Sequence, residues 1–410
     1  MTDQKYDKTL TYIDVLFTTI GYIVGAGIFA VIGTATKYGK QFTWLATILC
    51  LLLVVPTGLS YSELASVFKT NAGQYYYVKE TMNDNMALIS GYTMIITQIL
   101  SLTAITFALS SYANTVIKIP KMMLSSIILL IVAFINYCGI RNTMHFNYFC
   151  TSVEIIVLLV LGVLGLKNVS PKMFDVSEVT KDKMHNLLFA TAILSFAFVG
   201  FELTTELTEE TINPEKNIPA ALLSGVGVST LLYFLIIISS IAAIGWKKLA
   251  SSSAPLADVA NKIIGKLGYH IVFIVAIISM FNNVLIGHVS TTRTIQAMSR
   301  NVKMPFNLDK IDEQTKTPLN AIILVTLFSI FGLCMGNLEN SVIITNITTL
   351  ILFLFVNVSV ILLRIQKPNV ERKFKIPFSV NNIPISAILG IFSTLLLLTI
   401  LVKKPKLLLA

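Results

Sequence analysis

The sequence is poor in charge, in cysteine and in the motifs of soluble enzymes. Only 13% of its 410 residues are charged, whereas soluble domains carry about 25%. Its four cysteines show no CxxC spacing, which argues against a zinc site and a disulfide framework. There is no GxSxG, HExxH or P-loop lysine motif, and histidine, cysteine and carboxylates do not cluster at metal spacing. These absences predict no enzyme activity, no cofactor and no metal.

The sequence is instead rich in long apolar runs. Hydrophobic residues make up 55% of the chain, and the mean hydropathy is +0.77. About eleven apolar segments can be counted, each close to the ~20 residues that a helix needs to cross ~30 Å of hydrocarbon. This pattern predicts an all-α polytopic membrane protein. The predicted spans are 12–36, 42–67, 86–117, 122–138, 146–166, 186–208, 219–246, 269–298, 318–335, 341–363 and 383–402.

The basic residues predict a cytoplasmic N-terminus. With that orientation all five arginines fall in predicted cytoplasmic connections, as the positive-inside rule expects. Lysines divide almost evenly between the two sides, and many lie in long loops, which obey the rule poorly. The net charge of +10 forms no stripe, so it favours lipid headgroups over nucleic acid as a partner. We expect a multi-pass protein of the plasma membrane whose first helix is not a cleaved signal.

Two apolar segments carry a glycine-centred break at the middle. The first segment holds GAG at 25–27, and the sixth holds FVGFE at 198–202. Because the bilayer core offers no water to free backbone groups, a break there is tolerated only where it lines a cavity. Half-helix ends attract anionic groups and freed carbonyls attract cations, which suits a zwitterion such as an amino acid. The pair of breaks therefore predicts a membrane transporter.

The position of the breaks also predicts two equivalent halves. They open the first and sixth segments, so segments one to five correspond to segments six to ten. Since five is odd, the second half must cross the membrane in the opposite direction, which makes an inverted repeat. The expected parts are a cytoplasmic N-terminus at 1–11, a first repeat at 12–166, a second repeat at 186–364, a peripheral eleventh helix at 383–402 and a tail at 403–410.

Four stretches resemble the amino acid–polyamine–organocation (APC) family of permeases. They are GYIVGAGIF at 21–29, YSELASVFKTNAGQYYYV at 61–78, FAFVGFELTTELTEETINPEKNIP at 196–219 and SMFNNVLIGHVSTTRTIQAMSRNVKMP at 279–305. The resemblance implies a LeuT-like fold of 5+5 inverted repeats, with discontinuous helices 1 and 6 and a central amino acid site. Family members commonly have twelve helices, one more than we count here.

The resemblance implies which backbone groups bind the substrate. Amides around Ala26 and Gly27 would hold its carboxylate, because the N–H groups at a helix end form an anion site. The carbonyls of Ile23, Phe196 and Val199 would receive its ammonium. The expected site is thus built largely from backbone, at the two breaks.

Several residues near the breaks have two possible roles. Gly25 and Gly200 would let backbone approach the substrate because they lack a Cβ, or they would serve helix packing. Phe196 matches an aromatic that closes over the substrate in the family, or it belongs to the core. Glu202 matches a family acid and is included among the expected substrate-binding residues.

Glu154, in the fifth segment, is the predicted coupling residue. A charged side chain near the bilayer centre costs at least ~2.5 kcal/mol, so its presence there points to a function. Many proton-coupled relatives have a lysine at this position, and this sequence departs from them. We expect Glu154 to take up and release a proton during transport. The alternatives are a carboxylate that helps to bind a cation, and a glutamate that faces the headgroups.

An acidic face follows the second break. Glu202 and Glu206, with Glu209 or Glu210, recur at helical spacing. This face favours cationic amino acids or a diamine as substrates. For the residues from Glu206 onward, a solvated helix end with a partner such as Lys216 is the simpler interpretation.

These features together predict a secondary active amino acid transporter that works by alternating access around a midplane site and is coupled to protons. The alternatives are an amino acid exchanger, an amino-acid-sensing receptor on a permease fold, and a transporter of cationic amino acids or polyamines. A backbone-built site recognises groups that all amino acids share, so the sequence does not choose the substrate. It also leaves the oligomeric state open.

Overall fold

The computed structural model describes residues 6–114, 116–177, 180–334 and 338–403. Within these ranges the chain is almost wholly helical, with one two-residue β-hairpin. The helices are α1 Tyr12–Gly39, α2 Thr43–Val67, α3 Gly73–Thr81, α4 Asp84–Ala113, α5 Lys121–Tyr137, α6 Ile140–Gly165, α7 Lys181–Phe198, α8 Pro214–Ile244, α9 Trp246–Ser251, α10 Pro255–Ile263, α11 Lys266–Ser299, α12 Leu319–Leu333, α13 Leu338–Gln366 and α14 Ile385–Val402. Strands β1 Ser379–Val380 and β2 Ile383–Pro384 pair antiparallel.

Short 3₁₀ helices join several of these elements. The longest, Phe201–Glu210, continues α7 after a break and is called the 3₁₀ segment below. The others are Lys40–Phe42, Leu166–Asn168, Pro171–Phe174 and Pro305–Asn307.

All eleven predicted spans correspond to helices. In the part of the chain that the structure describes, nine helices are long and apolar enough to cross a bilayer, and α5 and α12 are shorter, at 17 and 15 residues. Their outward faces carry exposed apolar side chains such as Leu231, Phe331 and Phe392. Because such faces are stable only in hydrocarbon, the protein is a multi-pass integral membrane protein.

Local sequence explains where several of the helices begin or end. Thr11 caps α1 through a capping box in which Thr11 and Asp14 each bond the other's backbone N–H. The side chain of Asn83 accepts a 2.9 Å hydrogen bond from Met86 N and caps α4. Gly245, at φ +76, ends α8.

Helix α1 lies at the centre of the bundle. It packs against α6, α7, α8, α9 and α11, which places its glycines among five neighbouring helices. The C-terminal α14 packs against α13 and α2 and turns its other face outward, with Phe392 68% exposed. The division into two inverted repeats and a peripheral helix stays a prediction.

One predicted break is present and the other is absent. Helix α7 ends at Phe198 and the chain resumes as the 3₁₀ segment, so the sixth span is discontinuous. Helix α1 is continuous from Tyr12 to Gly39, so the break predicted at 25–27 is wrong for this conformation. The glycines there serve close packing: a Cβ on Gly25 would lie 2.7 Å from Asn283 Nδ2, and one on Gly27 would lie 2.6 Å from Ala197 Cα.

The start of the chain, residues 6–11, crosses one end of the bundle and is called the N-terminal strap. Leu10 pairs with Thr211 in a parallel bridge, and Ile212 N donates to Leu10 O at 2.8 Å. Tyr6 is buried, donates to Gln296 Oε1 at 3.4 Å and lies under the Arg293 guanidinium. The strap therefore joins the start of α1 to the 3₁₀ segment and to the end of α11.

Two of the five arginines do not lie in connections, which corrects their predicted placement. Arg293 is inside α11 and Arg364 is inside α13, and both are buried. Each is buried because it has an acidic partner: Arg293 faces Glu210, and Arg364 bonds both carboxylate oxygens of Glu63 at 2.8 and 2.5 Å.

Candidate functional site

The break after α7 is held open by its own side chains. Val199 has an extended ψ of 134°, and Gly200 has φ +126°, a conformation that favours glycine. Val199 N donates to Phe196 O at 3.1 Å. Gly200 N donates to the side chain of Glu202 at 2.9 Å, so this amide is satisfied by a carboxylate and not by a helical carbonyl. Glu202 is buried beside the break.

The ring of Tyr22, on α1, fills the space that Gly200 leaves. A Cβ on Gly200 would lie 1.9 Å from Tyr22 Cδ1, and one on Gly287 of α11 would lie 2.7 Å from Tyr22 Oη. The ring is thus held between two glycines. Sequence reasoning missed Tyr22, although it lies inside the GYIVGAGIF motif.

Tyr233, on α8, connects α1 to the broken span. Its hydroxyl contacts the carbonyl oxygens of Ile23 and Ala197, the latter at 2.8 Å, and its ring packs on Phe198 at 5.0 Å between centroids. One hydroxyl has one hydrogen, so it can donate to only one of the two carbonyls at a time. Sequence reasoning missed this residue too; its only signal was a hydroxyl at membrane depth, which needs a partner.

Polar side chains of α11 bond to neighbouring helices. Asn283 donates to the Tyr22 carbonyl, and Asn282 donates to Asn147 Oδ1 on α6 at 2.9 Å. Two successive α1 carbonyls, those of Tyr22 and Ile23, therefore accept bonds from side chains of other helices. This concentration of side-chain donors on one turn of α1 marks the turn that faces the break.

The structure brings most of the predicted substrate-binding positions together. Ile23 and Gly27 on α1 lie against the α7 break, which carries Val199, Gly200 and Glu202. The backbone of residue 26 is helical, and its side chain lies outside the described residues.

The carboxylate site predicted in α1 is not formed here. In a continuous helix the amides of residues 26 and 27 point to carbonyls one turn earlier and are not free to hold an anion. Phe196 is buried, at 5% exposure.

Glu154 lies in the protein interior, so the headgroup-facing interpretation is wrong. Its side chain is fully buried on α6. Ser279 of α11 donates to one carboxylate oxygen, and the other has no hydrogen-bond partner within the described residues. The carboxyl is also within electrostatic range of the Tyr233 hydroxyl. Glu154 thus makes no direct contact with the break in the bonds that the structure shows, and the Tyr233 side chain links the two regions.

The acidic face after the break is mostly buried, which corrects the solvated interpretation for Glu206 and Glu210, whereas Glu209 is partly exposed. Glu206 contacts Gln98 of α4, and Glu210 lies 3.5 Å from Arg293. Glu209 accepts two hydrogen bonds from Arg300, at 2.6 and 2.8 Å. Lys216 contacts none of these carboxylates in any bond that the structure shows for the described residues.

Two clefts lie at opposite ends of α1. One, of about 760 Å³, is on the side of the N-terminal strap and is lined by Tyr6, Lys69, Glu209 and Arg300 among others. The second, of about 530 Å³, lies near the far end of α1 and is lined by Phe29, Lys121 and Ser252 among others.

Known proteins resemble this chain over most of its length. A family model described as "Amino acid permease" matches residues 10–407. The "Branched-chain amino acid permease BcaP" of Bacillus subtilis (strain 168) is 25% identical over 92% of this chain and 85% of its own. The "Methylthioribose transporter" of the same organism is 26% identical over 90% and 84%, and the "Cationic amino acid transporter 1" of Arabidopsis thaliana is 22% identical over 87% and 63%.

Proposed function

The chain belongs to the amino acid permease family, and on that premise we propose that it is a secondary active amino acid transporter. The observation that carries the proposal is the break at Val199–Gly200 with the glycines of α1 packed against it. Broken spans that face a second helix at membrane depth are where transporters of this architecture bind substrate. The relatives named as amino acid permeases support amino acids as the substrate class.

Substrate would bind at the contact that Tyr233 now bridges. Its ammonium would take the carbonyls of Ile23, Phe196 and Val199. Its carboxylate would take amides of residues 26 and 27, which requires α1 to unwind at its glycines. Glycine lowers the free-energy cost of that unwinding, since it enters non-helical conformations without a Cβ clash. In the present conformation, the side-chain bonds from Tyr233 and Asn283 occupy this turn of α1 in place of substrate.

Glu154 would couple transport to protons. The buried carboxyl is more stable neutral than charged in a low-dielectric interior, so it binds a proton when no cation is near. A charge on Glu154 would act electrostatically on the Tyr233 hydroxyl, which contacts the carbonyls of Ile23 and Ala197, and would so alter which of the two carbonyls that hydroxyl favours. Proton uptake and substrate binding would in this way act on the same turn of α1.

The transport cycle would be alternating access. The clefts at the two ends of α1 are the routes by which each side of the membrane would reach the break. Rocking of one part of the bundle against the other would expose the site to one cleft at a time.

A second candidate concerns the substrate and rests on Glu202. It has no positively charged partner in any contact that the structure shows for the described residues, so a cationic amino acid or a polyamine would supply one. The similarity alone does not choose, because the named relatives include transporters for branched-chain amino acids, methylthioribose and cationic amino acids.

The test is uptake of a labelled amino acid panel into proteoliposomes of the full-length protein. Each substrate is measured with an inward proton gradient, with a sodium gradient and with internal amino acid. Accumulation driven by protons in the wild type, and lost in Glu154→Gln, is the expected result. Glu313→Gln, which removes an exposed loop carboxylate, is the control and should accumulate normally.

Other outcomes separate the alternatives. Uptake only against internal substrate would indicate an exchanger and contradict net proton-driven transport. Binding of an amino acid with no uptake under any condition would favour a receptor. Gradient-driven accumulation that persists in Glu154→Gln would exclude the coupling role of that residue.

A further inference from the structure

Another buried carboxyl, that of Glu206, lies in the 3₁₀ segment four residues beyond Glu202. Its side chain is fully buried. The only hydrogen bond that the structure gives its carboxyl within the described residues comes from Gln98 Nε2 on α4. Glu206 therefore differs from Glu209 and Glu210, which each face an arginine. It is a carboxyl inside the bundle without a counter-charge.

Three oxygens around Glu206 make no hydrogen bond within the part of the chain that the structure describes. Two of them, Glu206 Oε2 and Gln98 Oε1, are buried. The Thr294 hydroxyl of α11 faces the carboxyl without a hydrogen bond of ordinary geometry. Buried polar atoms of folded proteins are satisfied in the large majority of cases, so a group of three such oxygens calls for a missing partner. A cation, or a proton on the Glu206 carboxyl, would supply such a partner.

Among the residues that the structure describes, no charged group on the neighbouring helices supplies this partner. The groups close enough to act electrostatically on Glu206, or on which it acts, are the Glu202 carboxyl and the hydroxyls of Tyr22, Tyr61 and Tyr77, from α1, α2 and α3. All of these are acidic or neutral. An ionised Glu206 beside Glu202 would add repulsion to the free energy of burying a charge, which is already several kcal/mol unless the charge is paired.

We propose that Glu206, Gln98 and Thr294 form a binding site for one inorganic positive charge, a proton or Na⁺, between the helix break and the cleft near the N-terminal strap. A proton would convert the carboxyl into a donor toward Thr294 Oγ1. Sodium would take the three oxygens as ligands, because hard cations prefer carboxylate, amide and hydroxyl oxygen. The site is distinct from Glu154, which contacts α11 through Ser279 on another part of that helix.

The proposal rests on the protein fold and not on transport, so it can be tested even if the proposed function fails. The purified full-length protein in detergent is unfolded by heat across a series of Na⁺ concentrations, with choline chloride holding ionic strength constant, and across a pH series without Na⁺. A ligand that binds only the folded state raises the melting temperature. The background variant Glu154→Gln removes the buried Glu154 carboxyl from the titration, and the other buried carboxyls stay the same in every variant compared.

In that background, we expect the melting temperature to rise with Na⁺ or with falling pH, and the rise to vanish when Glu206→Gln is added. Glu206→Gln should itself fold, since glutamine keeps the shape and removes the buried charge. Thr294→Val removes one of the three oxygens without a change of shape, and we expect the Na⁺ concentration or proton activity at half-effect to rise about threefold to tenfold, the equivalent of one hydrogen bond. Glu313→Gln is the control with one exposed acid removed.

The two series distinguish the sources of charge. A Na⁺ response lost with Glu206 assigns the site to sodium, and a pH response lost with Glu206 assigns it to a proton. A response to both that is unchanged in Glu206→Gln overturns the proposal. The proposal is also overturned if Glu206→Gln changes only which substrates are transported. The positive charge that pairs with Glu206 would then belong to the substrate and not to an inorganic cation.

Discussion

Single residues at the break determine its backbone conformation and its contacts with α1. Gly200 combines a positive φ with a tyrosine ring packed on its Cα, so two independent reasons require glycine there. Tyr233 places one hydroxyl hydrogen between two carbonyls of different spans. Each of these residues links helices that are far apart in sequence, and each should be sensitive to the removal of very few atoms.

Gly200→Ala is predicted to abolish uptake and to lower stability. The left-handed conformation costs a residue with a Cβ about 1–2 kcal/mol, and the Tyr22 ring must also move away. The measurements are uptake in proteoliposomes and the melting temperature in detergent. Gly227→Ala is the matched control, because a Cβ at Gly227 in α8 meets nothing within 4 Å. Equal behaviour of the two variants would contradict the role given to Gly200.

Tyr233→Phe is predicted to slow uptake while the protein still folds. The ring that packs on Phe198 is kept, but the Ala197 carbonyl loses the hydroxyl donor, and the Ile23 carbonyl keeps only the helical amide of residue 27. A buried acceptor without a partner costs about 1–3 kcal/mol, which destabilises this closed arrangement of α1 and the break.

The measurement for Tyr233→Phe is the initial uptake rate as a function of external pH. If Tyr233 transmits the state of Glu154, the pH dependence should weaken along with the rate. A slower rate with an unchanged pH dependence would show that Tyr233 acts on substrate binding alone. Tyr92→Phe, at an exposed position on α4, is the control.

At the scale of elements, apolar length predicted the spans and glycine position predicted only one of the two breaks. Eleven apolar runs gave eleven helices because a bilayer admits few other solutions for such runs. Gly200 breaks its span because its neighbours Val199 and Glu202 stabilise the open backbone. Gly25 and Gly27 lie in a helix that remains continuous, since neighbouring helices gain close contact there. A short glycine motif does not distinguish these outcomes, because the deciding partners lie on other helices.

The same limit applies to the polar residues of the site. The sequence singled out Glu154 as ionisable at membrane depth, and the structure places it in the interior. The sequence did not predict the ion pair of Glu210, whose partner Arg293 lies 83 positions further along the chain. Tyr22 and Tyr233 read as ordinary aromatics in apolar helices until their hydroxyls and neighbours are placed in space.

The pair formed by Arg364 and Glu63 is predicted to hold the connection between α13 and α14 onto α2. The Glu63 carboxylate also accepts from Ile376 N at 2.8 Å and lies 3.2 Å from Arg372 Nε. Arg364→Met should destabilise the protein by about 3–5 kcal/mol, because a buried charge loses its main partner. Lys367→Met, which removes a half-exposed pair with Glu80, should change stability by at most about 1 kcal/mol. Thermal unfolding in detergent measures both.

At the scale of the whole molecule, two exposed cysteines report the orientation. Cys138 follows α5, and the nearby Tyr137 carbonyl accepts from Thr317 in the connection between α11 and α12. Cys334 follows α12 at the opposite end of the bundle. Since the connection before α12 is on the side of the N-terminal strap, Cys138 lies on that side and Cys334 lies on the other.

We predict that a membrane-impermeant maleimide labels Cys334 from outside intact cells and labels Cys138 only after the cells are opened. This follows if the N-terminal strap is cytoplasmic. Cys334→Ser should remove the external label, and Cys138→Ser should remove the internal one. The reverse pattern would show that the N-terminus lies outside.

The N-terminal strap has a consequence for how the chain is made. Tyr6 emerges early from the ribosome, and its partner Gln296 follows 290 residues later. At synthesis rates of about 5–20 residues per second, the wait is about 15–60 s. During that time Tyr6 lacks this partner, and α1 must be inserted in the bilayer before the contact between Tyr6 and Gln296 can form. The N-terminal strap therefore completes its contacts with the bundle late in biogenesis. A bulky fusion placed directly before Tyr6 would obstruct those contacts and not the insertion of the helices.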